Sequence, residues 1–467
     1  MSDKFVESFN IMGLPVYVRD VNINKFLLSY IVKKSTISNS SDAIQDYINN
    51  NPNAVIIVDN GNHILDRDVT FTSGIKLFFS DGYFTLLNSA KLTINCNFDS
   101  LDYQLFYNVT PDTLIIDTTK NSIGKAEWFG DNIVECYKYF NNIDLKAKTY
   151  TLTSDLSLNR SNTNIKGIGA SEYTGANKTD ATRIIETQGA TIRIGDPSSG
   201  IINSFPRNIH ISDMQIVQTV STQYAIYSNG IVYGRIRRLK IDGSGSLVYV
   251  KANVSTLYED IVAQLNAPTV GTSFIYYLDG SGTPIGAGGN ASVYFNRCNG
   301  QFTTPNGNKV YGFYLNGASA DTYINSCEIT ACSCGIAFEG HTDGDQAWND
   351  IFVNNFVADS VTEHGLDFVN INSNGAIQLN QIYLANVPNA TQSQIFISNT
   401  TCPITMSNVQ MIDTSPTAVG LQIVGTASLI MHGMIYKGMG TPFQDNDNRE
   451  YLLIDYFVNG HLNKIGY

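Results

Sequence analysis

A short pattern that recurs eight times between residues 211 and 409 constrains this chain more than any other feature. It is an apolar residue, two polar residues and a second apolar residue, as in Ile211-Ser212-Asp213-Met214 and Ile324-Asn325-Ser326-Cys327. The first polar positions are 212, 237, 259, 296, 325, 354, 380 and 407, in steps of 25, 22, 37, 29, 29, 26 and 27 residues. Such a period is typical of a fold in which one short unit stacks on the next.

A second strand-like run follows most copies after a glycine, as at Gly335-Ile336-Ala337-Phe338 and Gly365-Leu366-Asp367-Phe368. Each repeat therefore reads as about three short strands separated by turns. The prediction is an all-β chain folded as a right-handed parallel β-helix, a solenoid with short capping helices. A β-sandwich with irregular strands is the alternative, but it gives no reason for the pattern to recur.

Stacking places equivalent residues of successive repeats in columns. Asn296, Asn325, Asn354 and Asn380 are expected to form one such column, because asparagine amides can bond to each other along a stack. Cys298 and Cys327 occupy equivalent positions and are expected to be stacked, buried thiols.

Composition agrees with many tight turns, since the chain has 38 Gly, 26 Tyr and only 15% charged residues. The net charge of −12 argues against a nucleic-acid partner. The densest basic cluster, Arg235, Arg237, Arg238 and Lys240, is interpreted as a solvated strand edge. Of the seven Cys, Cys332 and Cys334 form a CxC without a partner pair, so all are interpreted as reduced, and neither a metal nor a cofactor is predicted.

The N-terminal third has a different pattern. Helix-like residues 42–49 precede strand-like runs, and the same order recurs with a helix at 132–140, which suggests two starts of a coil whose open end is covered by a helix. The predicted division is an N-terminal anchoring arm at 1–36, a small β-rich module at 37–125, the β-helix at 126–440 and end rungs at 441–467. The longest apolar run near the start, 26–32, is too short to span a bilayer.

The segment Lys125-Ala126-Glu127-Trp128-Phe129-Gly130, followed by a helix and a Thr-Tyr-Thr-Leu strand, resembles the opening of pectate-lyase-like β-helices. In particular it is similar to bacteriophage tailspikes and capsular polysaccharide depolymerases. The resemblance implies a virion enzyme that binds and cleaves bacterial surface polysaccharide. It also implies a homotrimer, attached through its N-terminus to a tail or adaptor protein and made in the host cytoplasm.

Glycoside hydrolysis needs two carboxylates across one sugar linkage. The densest acidic stretch begins at Glu339, directly after a strand, and a second acidic stretch begins at Glu363 one repeat later. Stacking is expected to place the two groups about one strand spacing apart, ~4.8 Å. The candidate catalytic residues are Glu339, Asp343, Asp345, Glu363 and Asp367. The candidate substrate-binding residues are His341, Trp348 and His364, with Trp348 offering a ring for a sugar.

Other interpretations of these residues stay open. The acidic stretch could be a solvated loop or a weak calcium loop, and Asp279, in the presumed loop 266–291, is a further candidate acid. A lyase would instead use a Lys, Tyr, His or Arg base at a uronic acid. A non-catalytic adhesin could bind glycan with the same acids and aromatic residues. The sequence therefore favours a hydrolase, with the lyase and the adhesin as alternatives.

Overall fold

The computed structural model describes most of the chain. The described residues are 9–11, 14–16, 30–32, 40–59, 61–169, 181–195, 202–266, 268, 271–280, 290–303, 308–317, 319–340, 350–372, 375–386, 392–413, 415–438, 440–445, 451–458 and 461–466. They divide into two compact units, the first within 1–131 and 135–140 and the second within 132–134 and 141–467.

The first unit is a stack of short parallel strands. Its elements are β1 (Phe9–Ile11), β2 (Leu14–Val16), β3 (Tyr30–Val32), α1 (Ser40–Asn50), β4 (Val55–Val58), β5 (Gly61–Leu65), β6 (Val69–Phe71), β7 (Lys76–Phe79), β8 (Gly82–Leu86), β9 (Leu92–Ile94), β10 (Phe98–Ser100), β11 (Phe106–Tyr107) and β12 (Leu114–Ile116). Apart from the β1–β2 hairpin, these strands form three parallel sheets, β3-β4-β7-β10, β5-β8-β11 and β6-β9-β12. Each turn of the chain therefore adds one strand to each sheet.

Helix α1 agrees with the predicted helix at 42–49. Ile44 and Ile48 are buried, as their spacing of four residues on one helical face requires. The helix is joined to the residues around β6 by polar contacts, since Gln45 Oε1 accepts a hydrogen bond from the Thr70 amide at 2.7 Å.

The Ala126–Phe129 stretch, which carries the family resemblance, is a 3-10 helix that ends at Gly130 with φ of 67°. All four of its residues are buried. Trp128 packs on Phe98 with ring centroids 4.7 Å apart, and its Nε1 donates a hydrogen bond to Ser100 Oγ at 2.6 Å. These aromatic contacts bind the stretch to the core of the first unit.

The second unit, called the main unit below, is a longer stack of the same kind. Helix α2 (Ile133–Tyr139) precedes it, and a 3-10 helix at Ile202–Ser204 interrupts it. Its strands are β13 (Asn142–Asp144), β14 (Thr149–Leu152), β15 (Leu156–Leu158), β16 (Asn164–Lys166), β17 (Arg183–Glu186), β18 (Ile192–Ile194), β19 (His210–Gln218), β20 (Ile226–Val232), β21 (Arg235–Gly243), β22 (Val248–Leu265), β23 (Thr272–Gly280), β24 (Asn290–Phe302), β25 (Lys309–Gly317), β26 (Ser319–Asn325), β27 (Glu328–Thr330), β28 (Cys334–Glu339), β29 (Ile351–Val361), β30 (His364–Val369), β31 (Ile377–Asn386), β32 (Ser393–Asp413), β33 (Val419–Gly438), β34 (Thr441–Asp445), β35 (Tyr451–Val458) and β36 (His461–Gly466).

These strands pair in parallel with the equivalent segment one turn later, and only β35–β36 is antiparallel among the described strands of the main unit. Three stacks result. Sheet 1 starts at β13, sheet 2 at β14 and sheet 3 at β15. The all-β class and the parallel pairing of the strands are therefore confirmed, whereas the right-handed sense of the coil stays a prediction.

The register that the repeat predicted is confirmed in sheet 1. The eight first polar positions form one continuous column: Ser212, Arg237, Glu259, Asn296, Asn325, Asn354, Asn380 and Ser407. The amides bond along it, since Asn380 Nδ2 donates to Asn354 Oδ1 at 3.0 Å and Ser407 Oγ donates to Asn380 Oδ1 at 2.9 Å. The apolar residue before each polar position points inward, as at Phe295, Ile324 and Val353, which are buried.

The second polar residue of every copy makes the corner between sheets 1 and 2. All eight have a left-handed backbone, with φ between 51° and 63°, at Asp213, Arg238, Asp260, Arg297, Ser326, Asn355, Gln381 and Asn408. One such residue reverses the inward and outward alternation and turns the chain. Gly433, with φ of 68°, follows Asn408 in this column and closes the series.

The predicted cysteine column is also present. Cys298 and Cys327 are buried, and the amide of Cys298 lies 3.4 Å from Cys327 Sγ. All seven cysteines are free thiols and all are buried. No described helix is long and apolar enough to span a bilayer.

Candidate functional site

The outer face of sheet 3 carries a column of large side chains across successive turns. In register, it runs through Arg193, Tyr227, Tyr249, Tyr277, Tyr314, Ala337, Asp367 and Phe396. A second outward column, two residues further along each strand, runs through Lys251, Asp279, Asn316, Glu339 and Val369. Both columns are outward because alternate residues of a strand point to opposite faces, and the inward ones, such as Phe313 and Phe338, fill the core.

Four of the eight predicted site residues are described, and all four lie on or beside this face. Glu339 ends β28, Glu363 directly precedes β30, His364 begins β30 and Asp367 lies within it. Asp343, Asp345, His341 and Trp348 lie outside the described residues, in the stretch 341–349 that directly follows Glu339 and Gly340.

The predicted spacing of the acids is wrong in one respect. Glu339 pairs in register with Val369, and Cys334 pairs with His364, so that Glu363 lies near the opposite end of the strand from Glu339. The acid brought closest to Glu339 in the register is Asp367, which pairs with Ala337 on the same strand as Glu339. The predicted spacing took account of the one turn between the two acids but not of the number of residues between β28 and β30. That number sets the offset of Glu363 from Glu339 along the strands.

Asp367 has the most unusual environment of the acids on sheet 3. Its Oδ1 is buried and, within the described part of the chain, accepts no hydrogen bond. Burial raises the pKa of this carboxyl above its ordinary value of 3.8, with Glu339 and Glu363 adding to the rise and with His364 and Lys309 opposing it. A carboxyl of this kind holds its proton to higher pH than an exposed one, which suits a proton donor.

Glu339 is held by the preceding turn. The hydroxyl of Tyr314 donates a hydrogen bond to Glu339 Oε2. Burial, and then this contact with Glu339, raise the pKa of Tyr314 far above its ordinary value of 10.0, so that the phenol remains a donor at neutral pH. The bond fixes one carboxylate oxygen of Glu339.

Lys309 and Glu363 make an ion pair across two turns, with Nζ and Oε2 3.0 Å apart. Lys309 Nζ also lies 5.0 Å from the centre of the Tyr311 ring. Burial lowers the pKa of Lys309, but its hydrogen bonds to Tyr311 and Glu363 outweigh burial and raise that pKa above the ordinary 10.5. The ammonium is thus a fixed positive charge beside the acids.

His364 is fixed by two neighbours. Its Nδ1 lies 2.6 Å from the Ser393 carbonyl oxygen, and its ring stacks on Phe396 with centroids 5.2 Å apart. Because a carbonyl oxygen only accepts, Nδ1 carries a proton in this contact. Nε2 is the ring nitrogen left to meet a ligand.

Aromatic residues that the sequence interpretation did not select surround these acids. Phe274, Tyr277, Tyr311 and Tyr314 form a cluster in which neighbouring ring centroids are 4.7 to 5.6 Å apart. They come from β23 and β25, whereas the described residues of the predicted set come from β28, from β30 and from the position directly before β30. The signal that could have found them is an outward tyrosine at matched positions of two strands, Tyr277 and Tyr314.

Asp279 lies in β23 and not in a loop, contrary to the expectation. Its side chain is buried, and its Oδ2 accepts hydrogen bonds from Tyr249 at 2.5 Å and Lys251 at 3.2 Å. Asn316 separates Asp279 from Glu339 in the second outward column and donates to Tyr277 at 2.9 Å. Toward the earlier turns, the outer face of sheet 3 therefore continues to carry aromatic and polar side chains.

The described residues contain no group of three or more His, Cys, Asp or Glu side chains arranged to hold a metal ion. The described chemistry of sheet 3 is that of carboxylates, ion-paired lysines, an oriented histidine and aromatic rings.

No model of a protein family matches this sequence. No curated protein matches it either. Among solved structures, it is similar to the catalytic domain of a GH87 alpha-1,3-glucanase in complex with tetrasaccharides, with 11% identity, a TM-score of 0.41 and coverage of 67% of this chain. The match spans 64% of the length of that domain.

Two further similar structures are known. One is the A-module of the mannuronan C-5 epimerase AlgE4 of Azotobacter vinelandii, with 9% identity, a TM-score of 0.31 and coverage of 92% of this chain and 100% of that one. The other is PfbA, a surface adhesin of Streptococcus pneumoniae, with 9% identity, a TM-score of 0.34 and coverage of 70% and 91%. These TM-scores support no inference about activity. The side chains of sheet 3 are the features of this chain that bear on its function.

Proposed function

We propose that this chain is a polysaccharide depolymerase that cleaves a bacterial surface glycan, capsular or O-antigen, by glycoside hydrolysis. Asp367 acts as the general acid and Glu339 as the general base. The observation that carries this proposal is the pair of carboxylates on the outer face of sheet 3, one buried with a raised pKa and the other fixed by the Tyr314 hydroxyl. Unlike environments are what allow two carboxyls to divide acid and base roles.

The two acids lie on neighbouring turns and are offset by two residues. Adjacent strands lie ~4.8 Å apart and two residues along a strand span ~6.6 Å, so the backbones of Glu339 and Asp367 are roughly 8 Å apart. The distance between the two carboxyl groups decides the stereochemical outcome, at about 6.5 to 9.5 Å for inversion and about 5 to 5.5 Å for retention. The anomeric configuration of the first product therefore reports that distance in the glycan complex.

The aromatic cluster supports a glycan rather than a small polar substrate. Ring faces pack against the C–H faces of sugars, and Phe274, Tyr277, Tyr311 and Tyr314 lie directly beside the acids. We assign His364, with its Nε2 available, to binding of the substrate. Glu363, paired with Lys309, is proposed as a further residue of the same site, as are Asp343, Asp345, His341 and Trp348, which follow Glu339 in the sequence.

Elimination at a uronic acid is the second candidate reaction. It is favoured by one observation, the contact of Lys309 with Tyr311, which pairs a cation that could neutralise a sugar carboxylate with a phenol that could act as base. However, burial raises the pKa of Tyr311 despite the opposing effect of Lys309, which makes the phenol a poor base. Hydrolysis is therefore preferred.

The biological setting that we propose follows from the resemblance at residues 125–130. The chain would be a phage tailspike with a right-handed parallel β-helix, a homotrimer on the virion attached through its N-terminal residues to a tail or adaptor protein. Light scattering of the purified chain tests the trimer. A dominant monomer at micromolar concentration would contradict it.

The activity is tested with purified capsular and O-antigen polysaccharides. The test uses those polysaccharides that bind to the protein in a binding assay. Hydrolysis predicts new reducing ends without absorbance near 235 nm, where unsaturated uronates absorb. Both signals together would support elimination, and retention without either would support the adhesin. For each glycan that binds, the result therefore distinguishes between hydrolysis, elimination and binding without cleavage.

Matched variants then locate the reaction. Asp367→Asn and Glu339→Gln should each lower the rate by at least roughly 100-fold, the usual contribution of a general acid or base. Glu328→Gln is the control, because Glu328 is exposed on sheet 2, where it pairs with Asn299. Activity of both site variants equal to that of the control would move the reaction elsewhere.

A further inference from the structure

Four basic side chains lie together on the outer face of sheet 1, in early turns of the main unit. Arg235 pairs in register with His210, and Arg237 pairs with Ser212, which itself pairs with Lys166. Residues two apart on a strand share a face and neighbouring strands are ~4.8 Å apart, so these side chains occupy one small surface. Lys166, His210, Arg235 and Arg237 are called the basic patch below.

The patch is open to solvent, and acids border it: Asp144 lies next to Lys166 in the register and Glu259 lies next to Arg237. Lys166 and Arg235 are exposed, and His210 and Arg237 are half-buried. Within the described ranges, none of its three permanent cations makes an ion pair with a carboxylate. Glu259, the acid next to Arg237 in the register, contacts Asn296 and Arg297 on the following turn instead.

The adjacent corner column shows the opposite arrangement. There, Arg238 bonds to both carboxylate oxygens of Asp213 at 2.5 and 2.8 Å. Arg297 bonds in the same way to Asp260, at 2.5 and 3.1 Å. In a chain with a net charge of −12, acids are abundant enough to pair every arginine of this region, so the open patch is a distinct feature.

His210 lies beside both arginines of the patch. Burial, together with the charges of Arg235 and Arg237, lowers the pKa of its imidazole below 6.5. Like charges held together in this way destabilise one another until an anion binds between them.

The surroundings of the patch indicate which anion. The column that contains His210 and Arg235 continues through Leu257 to Tyr294 and Tyr323, whose rings stack with centroids 4.7 Å apart. The parallel column continues as the asparagine ladder. Cations, exposed aromatic edges and amides thus follow one another along the outer face of sheet 1. A chain of acidic sugars could contact all three kinds of group.

We propose that the basic patch binds the carboxylate or phosphate groups of an acidic glycan, on a face separate from the acids of sheet 3. The binding needs no cleavage and therefore stands independently of the proposed hydrolase activity. A nucleic acid is a poorer ligand, because its closely spaced phosphates would also meet Asp213, Glu259 and Asp260, which border the patch.

Affinity electrophoresis of the full chain tests the proposal in gels that contain polygalacturonate, phosphorylated dextran or neutral dextran. The first two probes separate carboxylate from phosphate recognition. The wild-type protein should be retarded by at least one acidic polymer and not by neutral dextran. The Arg235→Gln/Arg237→Gln variant should lose roughly tenfold in affinity, as expected for the loss of two charge-assisted contacts.

The matched control is Arg238→Gln/Arg297→Gln, which removes the same charge from arginines that are already paired, and its affinity should stay within about twofold of wild type. Circular dichroism establishes that the variants are folded, and the exposed single change Arg235→Gln serves if the double variant is not. The proposal is overturned by equal retardation of wild type and patch variant, by equal retardation in neutral dextran, or by no retardation in either acidic polymer. Retention of DNA in place of the acidic polymers, with the same arginine dependence, would also overturn it.

Discussion

The hydroxyl of Tyr314 donates a hydrogen bond to the carboxylate of Glu339, which lies on the next turn, two residues further along the strand. The contact joins β25 to β28 and fixes the acid that we propose as the base. The residue in register with Tyr314 is Ala337, whose side chain is small.

Replacement of Tyr314 by Phe should lower kcat roughly tenfold, because a hydrogen bond to a charged group contributes about 1.5–3 kcal/mol and part of it is replaced by water. KM should change little, since the ring remains. The rate of glycan cleavage measures this. Tyr383→Phe on sheet 2 is the control, since Tyr383 is half-buried beside Val357, and an equal loss in both variants would contradict a positioning role for Tyr314.

The raised pKa of Asp367 predicts a pH-dependent cost in stability. The folded state holds this proton more tightly than the unfolded state, so its stabilisation is complete below the ordinary value of 3.8 and is lost as pH rises through the folded value. Asp367→Asn should therefore be more stable than wild type at pH 7, by a margin that shrinks toward pH 4. Urea unfolding at several pH values measures this margin.

Asp321→Asn is the control for that series, because Asp321 is exposed on the same unit and asparagine tolerates its left-handed backbone. The margin of Asp367→Asn is compared with that of Asp321→Asn at each pH. A margin for Asp367→Asn that stays constant or grows as pH falls would show that burial does not govern this carboxyl.

The corner column predicts which substitutions Gly433 tolerates. With φ of 68° and only ordinary contact of an added Cβ with Asn408, at 3.5 Å, the cost there is one of backbone conformation. Gly433→Val should destabilise the protein by about 1–2 kcal/mol, and Gly433→Asn by clearly less, because asparagine visits this conformation readily. Thermal unfolding compares the two. Equal losses would mean that packing, and not φ, decides the position.

The seven buried thiols should be inert in the folded protein. Burial raises the pKa of Cys96 and of Cys402 to about 11, and raises that of Cys298 well above its ordinary value of 9.0. At pH 8 a thiol reagent should therefore react with fewer than one cysteine per native chain and with all seven in denaturant. Rapid reaction of the native chain would place at least one thiol at the surface.

Much of the coil could be predicted because its repeat is local. The pattern at Ile324-Asn325-Ser326-Cys327 specifies an inward residue, an outward one, a corner and a second inward one, and stacking equal copies fixes the register at Asn296, Asn325 and Asn354 without further information. The site was predictable only where it is continuous in sequence, as at Glu363, His364 and Asp367.

The sequence by itself determined the all-β class, the column of eight polar positions and the acids around 339–367, because alternation and period are properties of neighbouring residues. Only the tertiary structure decided that Asp367 and not Glu363 lies nearest to Glu339 in the register, and that Tyr314 and Lys309 join them. It also decided that Arg238 pairs with Asp213, whereas Arg235 and Arg237 make no ion pair within the described part of the chain. These relationships depend on how many residues each loop inserts between strands, and therefore on which side chains stacking brings together, which local patterns do not encode.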